Sequence, residues 1–249
     1  MAENLEKKFI EVPHEGGKIT FQFPRSPWGN CYQNVANDLD KLGLRRPTSP
    51  EIASLVYYAF KNSNKEDAAE VADLLNRLSG MGFWEYTGNL FISPEKLGDG
   101  SGGTIIEHNP KITLDKGLIM DKDSLIKRLH EGDPNVKFVS NEEKWGGKFD
   151  FKTGFYLGHY LKKNPYIIAR YGEEGAEKLE EIFSEYKKIR LWPGTGHEIH
   201  PQVGLFGHFL DNPISTKGFD GTTYNIVTHG DPARLWHGHG YSLGIVPSK

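Results

Sequence analysis

The sequence predicts an α+β fold. Between about residues 30 and 80, apolar residues recur at helical spacing and their runs stop at Gly43, Asn62-Ser63-Asn64 and Gly80. Roughly the last sixty residues lose that period and read as antiparallel strands joined by glycine-rich loops. With 37% hydrophobic and 25% charged residues the composition is that of an ordinary folded protein, so both halves have the side chains to build a core.

Taken in order, Lys18 to Phe23 alternates Ile19, Phe21 and Phe23 against Thr20 and Gln22, a strand with one buried face. A helix then starts at Asn30, a good N-cap, and places Tyr32, Val35, Ala36, Leu39 and Leu42 on one stripe. Gly43 ends it, with Leu44 free to fold back in a Schellman close. The next helix has two readings of its start: Ser49 as cap with Pro50 at the first helical position, or Thr48 as cap with Glu51 completing a capping box. A third helix runs through Val71, Leu74, Leu75 and Leu78. Phe83–Tyr86 and Leu90–Ser93 then flank Thr87-Gly88-Asn89, which reads as a hairpin.

Gly98 to Gly103 cannot hold regular structure and reads as a surface loop. Short strands are expected at Thr104–Glu107, Lys111–Leu114, Leu118–Met120 and Val136–Val139, with a helix capped by Asp121 or Asp123 and ending at Gly132 before the last of them. Asn164-Pro165 opens a helix that Gly172 closes, and another follows from Glu173 to Lys188. Strands at Val203–Leu210, Thr222–His229 and Tyr241–Val246 complete the chain. A single compact domain, 1–249, is favoured over a division near residue 145 into 1–145 and 146–249, where a polar, glycine-bearing stretch lacks any period.

Charge and cysteine content narrow the function. A net charge of −3 lacks the electrostatic footprint of a nucleic-acid or anionic-membrane binder. The two helices and hairpin over 49–93 imitate a winged helix-turn-helix, but Glu66, Asp67, Glu70 and Asp73 on the outer face of the would-be recognition helix repel phosphate. One cysteine, Cys31, excludes an intramolecular disulfide and any zinc site built of several thiolates. No leader-like or membrane-spanning run is seen, so cytoplasmic residence is expected. Neither the Gly-x-x-x-x-Gly-Lys-Ser/Thr loop nor a Gly-x-Gly-x-x-Gly turn opening a helix is present.

The leading chemical candidate is a C-terminal histidine cluster. His229, Asp231, His237 and His239 lie close in sequence, with His197, Glu198 and His200 upstream. On a strand His237 and His239 share a face, and imidazole with carboxylate suits one divalent metal: zinc, iron, manganese or nickel. Three protein ligands and an open position would let a metal-bound water act as nucleophile. The His-x-His pair resembles those of metallohydrolases and cupins, with differences. Gly240-Tyr241 stand where the metallo-β-lactamase pattern has Asp-His, and no glutamate follows His239 as cupins require. Gly230-Asp231 resembles the Gly-Asp of calcineurin-like phosphoesterases, but their early Asp-x-His is absent.

Cys31 is a second candidate, because a helix N-terminus lowers thiol pKa values. Its setting before Tyr32 is loosely similar to papain-like proteases, without their longer signature. The alternative for each is structural: satisfied or solvent-facing histidines, and a buried, inert thiol. No complete catalytic constellation is visible. The sequence therefore favours a binding or interaction protein, with a protein partner or self-association, over a metal-dependent hydrolase.

Overall fold

The computed structural model describes residues 8–23, 31–62, 65–66, 82–92, 102–114, 117–140, 155–156, 158–183, 189–192, 201–209, 224–227 and 240–248. The chain is a mixed α+β protein. It opens with a hairpin, β1 (Lys8–His14) and β2 (Gly17–Phe23), followed by α1 (Tyr32–Lys41) and α2 (Ser49–Lys61). Then come β3 (Gly82–Ile92), β4 (Gly103–His108), β5 (Lys111–Thr113), β6 (Gly117–Ile119), α3 (Lys122–His130) and β7 (Val136–Ser140). The second half contributes β8 (Phe155–Tyr156), a 3-10 turn (Gly158–Lys163), α4 (Pro165–Phe183), β9 (Ile189–Trp192), β10 (Pro201–Phe209), β11 (Tyr224–Val227), β12 (Gly240–Tyr241) and β13 (Gly244–Ile245).

The helix ends follow their local chemistry. At α1 the chain closes as a Schellman motif: Leu44 N–H donates to the Leu39 carbonyl and Gly43 N–H to that of Asp40, with Gly43 at φ 68°. The same closure recurs after α3, where Gly132 N–H donates to Leu129 and Asp133 N–H to Arg128. Thr48, not Ser49, caps α2, and its backbone N–H and hydroxyl both donate to Glu51 Oε2 at 2.7 and 2.9 Å. Asp121 caps α3 by accepting from Ser124 N–H. The cap of α1 is Cys31, which makes no side-chain capping hydrogen bond, rather than Asn30, which lies outside the described residues. α4 runs through Gly172, whose φ of 71° breaks it where two separate helices are expected from the sequence.

Among the described residues the main sheet has eight strands. Seven lie in the order β7-β4-β3-β10-β11-β9-β8, and β12 also pairs with β3. Strands from both sides of residue 145 thus share one sheet. Most pairs are antiparallel, but β9 with β11 and β12 with β3 are parallel, so the expected all-antiparallel C-terminal part is corrected. A second sheet joins β1, β2 and β13, and β5 pairs with β6.

Three further expectations change. The expected helical half over about 30–80 is represented among the described residues by α1 and α2. A hairpin precedes it, the third helix falls outside the described residues, and the longest helix among the described residues, α4, is in the second half. The hairpin at Thr87-Gly88-Asn89 is instead the middle of a continuous strand, β3, paired to β4 from Thr87 to Ile92. β1 was not anticipated at all. It pairs with β2 in full register, from Lys8 opposite Phe23 to His14 opposite Gly17. The expected boundary near 145, residues 98–101 of the expected loop Gly98–Gly103 and the end of the last long helix at 184–188 lie outside the described residues, while Gly103, expected in that loop, instead begins β4 opposite Ser140.

The sheet is covered on both faces. On one side Ile106 and Val139 meet Ile52, Leu55 and Val56 of α2, Ile167, Leu179 and Ile182 of α4, and Ile10, Val12 and Phe21 of the hairpin. On the other, Trp84, Tyr86, Leu90 and Ile105 pack against Tyr32, Val35, Ala36 and Leu39 of α1, with Leu118, Met120 and Leu125. Among the described residues no helix is long and apolar enough to cross a membrane.

Close approaches require glycine in this sheet. A Cβ at Gly103 would stand 2.6 Å from the Val139 carbonyl oxygen and 2.5 Å from the Phe138 ring, which lies over it on the edge strand β7. Because one of those atoms is backbone, Gly103→Ala is expected to lower stability by about 1–3 kcal/mol in urea unfolding. An unchanged midpoint would contradict the packing. Thr48→Ala should cost about 1 kcal/mol through the lost cap.

Candidate functional site

β3 sets the chemistry of the core because its alternate residues face opposite ways. Trp84, Tyr86 and Leu90 enter the apolar cluster under α1. Glu85, Thr87 and Asn89 point to the other side, where α2 and α4 lie, and all three have 0% exposure. Polar groups so placed need partners, and the helices supply several of them, leaving Glu85 Oε1, Asn89 Nδ2 and Arg170 Nη1 buried without a hydrogen-bond partner.

Arg170 of α4 is the main one. It too is fully buried, and its Nη2 donates to Glu85 Oε2 at 3.2 Å. The same oxygen accepts from the Ser49 hydroxyl at 2.5 Å, which fastens the start of α2 to the pair. Arg170 Nε donates to Tyr171 Oη at 3.2 Å, and the guanidinium lies 5.5 Å from that ring's centroid. One helical turn earlier, Tyr166 Oη donates to Asn89 Oδ1 at 3.3 Å. On the far face, Tyr32 Oη of α1 donates to the Glu85 carbonyl at 3.3 Å, so the strand is held from both sides.

Thr87 joins a second branch. Its hydroxyl oxygen accepts from Ser49 N–H at 3.0 Å and lies 3.0 Å from His108 Nδ1 at the end of β4. The backbone continues the theme. Tyr86 N–H donates to the Pro47 carbonyl and its carbonyl accepts from Asn109 N–H, so the approach to α2 extends the sheet just where β4 stops.

Burial governs the ionisation of this cluster. Desolvation pushes the Glu85 carboxyl up to about 7, against the pull of Arg170 and Ser49. Burial also opposes the charge of Arg170, but Tyr171, Tyr166 and Glu85 more than offset it, and the guanidinium stays above its ordinary range. For His108, burial and then Arg170 lower the imidazole to about 4, over the opposing Ala169 backbone bond.

The residues singled out by sequence fall differently. His197, His200, His229, Asp231, His237 and His239, with Glu198, all lie outside the described residues. Their segments 193–200, 210–223 and 228–239 link β9 to β10, β10 to β11 and β11 to β12. Among the described residues no group of three or more His, Cys, Asp or Glu side chains is placed to hold a metal ion. Cys31 sits at the start of α1 with 9% exposure, within the core. Sequence reasoning missed Glu85 and Arg170. The signal for Arg170 was its place on the apolar stripe of α4, four residues after Tyr166 and three after Ile167.

The raised Glu85 carboxyl has a definite consequence for stability. Between the ordinary carboxylate range and about 7 the folded chain binds a proton that the unfolded chain has already lost, so this group's contribution falls as pH rises. His108 acts in the opposite sense. With its folded value near 4, the unfolded chain binds the extra proton, and stability is lost as pH falls through the ordinary histidine range. The Glu85 part is isolated by subtraction. The stability of the wild type minus that of Glu85→Gln should decline from pH 5 to pH 7.5 in denaturant titrations, and a difference that rises over this range would contradict the assignment.

No family model and no curated protein matches the chain. Among solved structures it is similar to one described as the accommodation of massive sequence variation in Nanoarchaeota by the C-type lectin fold, with a TM-score of 0.51 and 15% identity. The similarity covers 98% of this chain and 100% of that one. At that identity the likeness is one of fold alone.

Proposed function

We propose that this protein is a binding protein, in which a rigid lectin-like scaffold carries the chain between β9 and β12 as its recognition segments. The reading rests on one observation above others, the likeness over nearly the whole chain to a C-type lectin fold described as accommodating massive sequence variation. A fold that tolerates such variation must be fixed by a limited set of interactions, leaving other positions to serve recognition. Here the buried Glu85–Arg170 cluster, the Thr48–Glu51 cap and the close packing at Gly103 lie in β3, β4, β7, α2 and α4. The segments 193–200, 210–223 and 228–239 carry a different set of side chains, including Phe219, Arg234, Trp236 and five histidines. Tryptophan and arginine are the residue types that dominate binding energy at interfaces.

The partner is a macromolecule recognised through these aromatic and polar groups, and no turnover accompanies binding. The competing reading, a hydrolase with one divalent ion on His229, Asp231, His237 and His239 assisted by His197 and His200, makes the opposite forecast for metal content.

Two measurements on tag-free protein separate them. Material captured from an extract of the native host should be lost when Arg234, Trp236, His237 and His239 are replaced together by alanine, with the melting temperature unchanged. Equal capture by both proteins would refute the recognition segments. Elemental analysis should find no stoichiometric metal. About one ion per chain, lost in His237→Ala and His239→Ala, would establish the metal-dependent reading instead.

A further inference from the structure

Arg170 and Glu85 meet through one hydrogen bond where the chemistry of the two groups offers two. A guanidinium and a carboxylate commonly pair through parallel bonds from two nitrogens to two oxygens. Here Nη2 donates to Oε2 at 3.2 Å, while Nη1 and Oε1 have no hydrogen-bond partner. The neighbours account for the missing bond. The Ser49 hydroxyl holds Oε2 at 2.5 Å from the start of α2, and Tyr171 Oη holds Nε at 3.2 Å on α4. Each group is fixed at a second point, so neither turns freely to bring its remaining atom onto the other.

Both residues have 0% exposure, so bulk solvent does not serve the two atoms either. A charged group stripped of water and left partly unpaired is costly, and native proteins rarely leave one so. The chemistry of the two atoms defines what fits between them. Nη1 has only hydrogens to give, and Oε1 of the carboxylate has only lone pairs. A bare cation or an ammonium ion has no acceptor for Nη1 and would be repelled by the guanidinium. A chloride ion has no donor for Oε1 and would be repelled by the carboxylate. The smallest neutral molecule that both accepts and donates is water, and buried waters occupy such places, with about three hydrogen bonds to groups that lack other partners.

We propose that a single internal water molecule bridges Arg170 Nη1 and Glu85 Oε1 and completes the polar joint between β3 and α4. Its oxygen accepts from Nη1, and one of its hydrogens goes to Oε1. Covalent geometry keeps these two atoms near each other, because each shares a carbon with one end of the Nη2–Oε2 contact. Asn89 Nδ2 is also unpartnered, but it lies four residues on along β3, about 13 Å at the rise of a strand, and is not part of this site. Because water donates as readily as it accepts, it serves the Glu85 carboxyl in either protonation state, including at the raised value of about 7. The joint therefore keeps its connection from strand to helix while the carboxyl titrates.

Crystal structures at a resolution that orders solvent test the bridge. In the wild type an ordered oxygen should lie within about 3.2 Å of both Nη1 and Oε1. The same oxygen should remain in Glu85→Gln, whose amide still offers water a partner, and should be lost in the double variant Glu85→Leu with Arg170→Met, which removes both polar groups. A direct Nη1–Oε1 bond in the wild type, or no density between the two atoms, would overturn the proposal. So would an oxygen that stays in place in the double variant, since the pair would then not be what holds it. If a variant does not fold, the wild-type density decides alone.

Discussion

A guanidinium and a carboxylate, both sealed from solvent, face each other across the junction of β3 and α4, and the architecture around them is arranged to make that tolerable. Neither Glu85 nor Arg170 has any exposed surface. Isolated charges in such a place would cost several kcal/mol each, so the pair persists because its neighbours share the load. Ser49 brings the first turn of α2 to the carboxylate, Tyr171 brings a hydroxyl to the guanidinium, and Tyr32 holds the Glu85 carbonyl from the opposite face. Three helices and one strand are thereby fixed relative to each other by directional bonds, which apolar packing alone would leave free to slide. The apolar contacts supply most of the driving force, and the polar cluster selects which arrangement they adopt.

This division bears on function. A scaffold held by a few directional contacts at its centre can present chemically varied segments at its margin without losing its fold. The segments between β9 and β12 differ in composition from the cluster that holds the sheet. They begin and end on strands of that sheet, since β12 returns to pair with β3 at Gly82 and Phe83, two residues before Glu85.

What the sequence made legible was local. The Schellman close at Gly43, the capping box at Thr48, the cap at Asp121 and the break at Gly172 all depend on residues within a few positions of one another. What it hid was long-range. Glu85 and Arg170 are charged and stand far apart in sequence, so each reads as a surface residue until a partner is known. β3 was hidden for a related reason. Thr87-Gly88-Asn89 has turn chemistry, yet Thr87 and Asn89 are the buried polar face, and Gly88 is small because a Cβ there would stand 2.6 Å from the Met120 sulfur. Glycine inside a strand marks close approach as readily as a turn. β1 escaped because Pro13 and the charged residues Lys8 and Glu11 mask its alternation, although Ile10 and Val12 are fully in the core. The C-terminal histidines, the strongest chemical lead in the sequence, lie outside the described residues, so the candidate site that emerged is one the sequence did not point to.

The dependence of the fold on the buried pair is measured most directly by a double-mutant cycle with Glu85→Leu and Arg170→Met, followed by denaturant unfolding. Each single replacement strands a buried charge or its polar neighbours and should cost about 3–5 kcal/mol, while the double replacement should recover a large part of that loss. Single variants as stable as the wild type, or losses that simply add in the double variant, would show that the two side chains do not act as a pair and that something else positions α4 on β3.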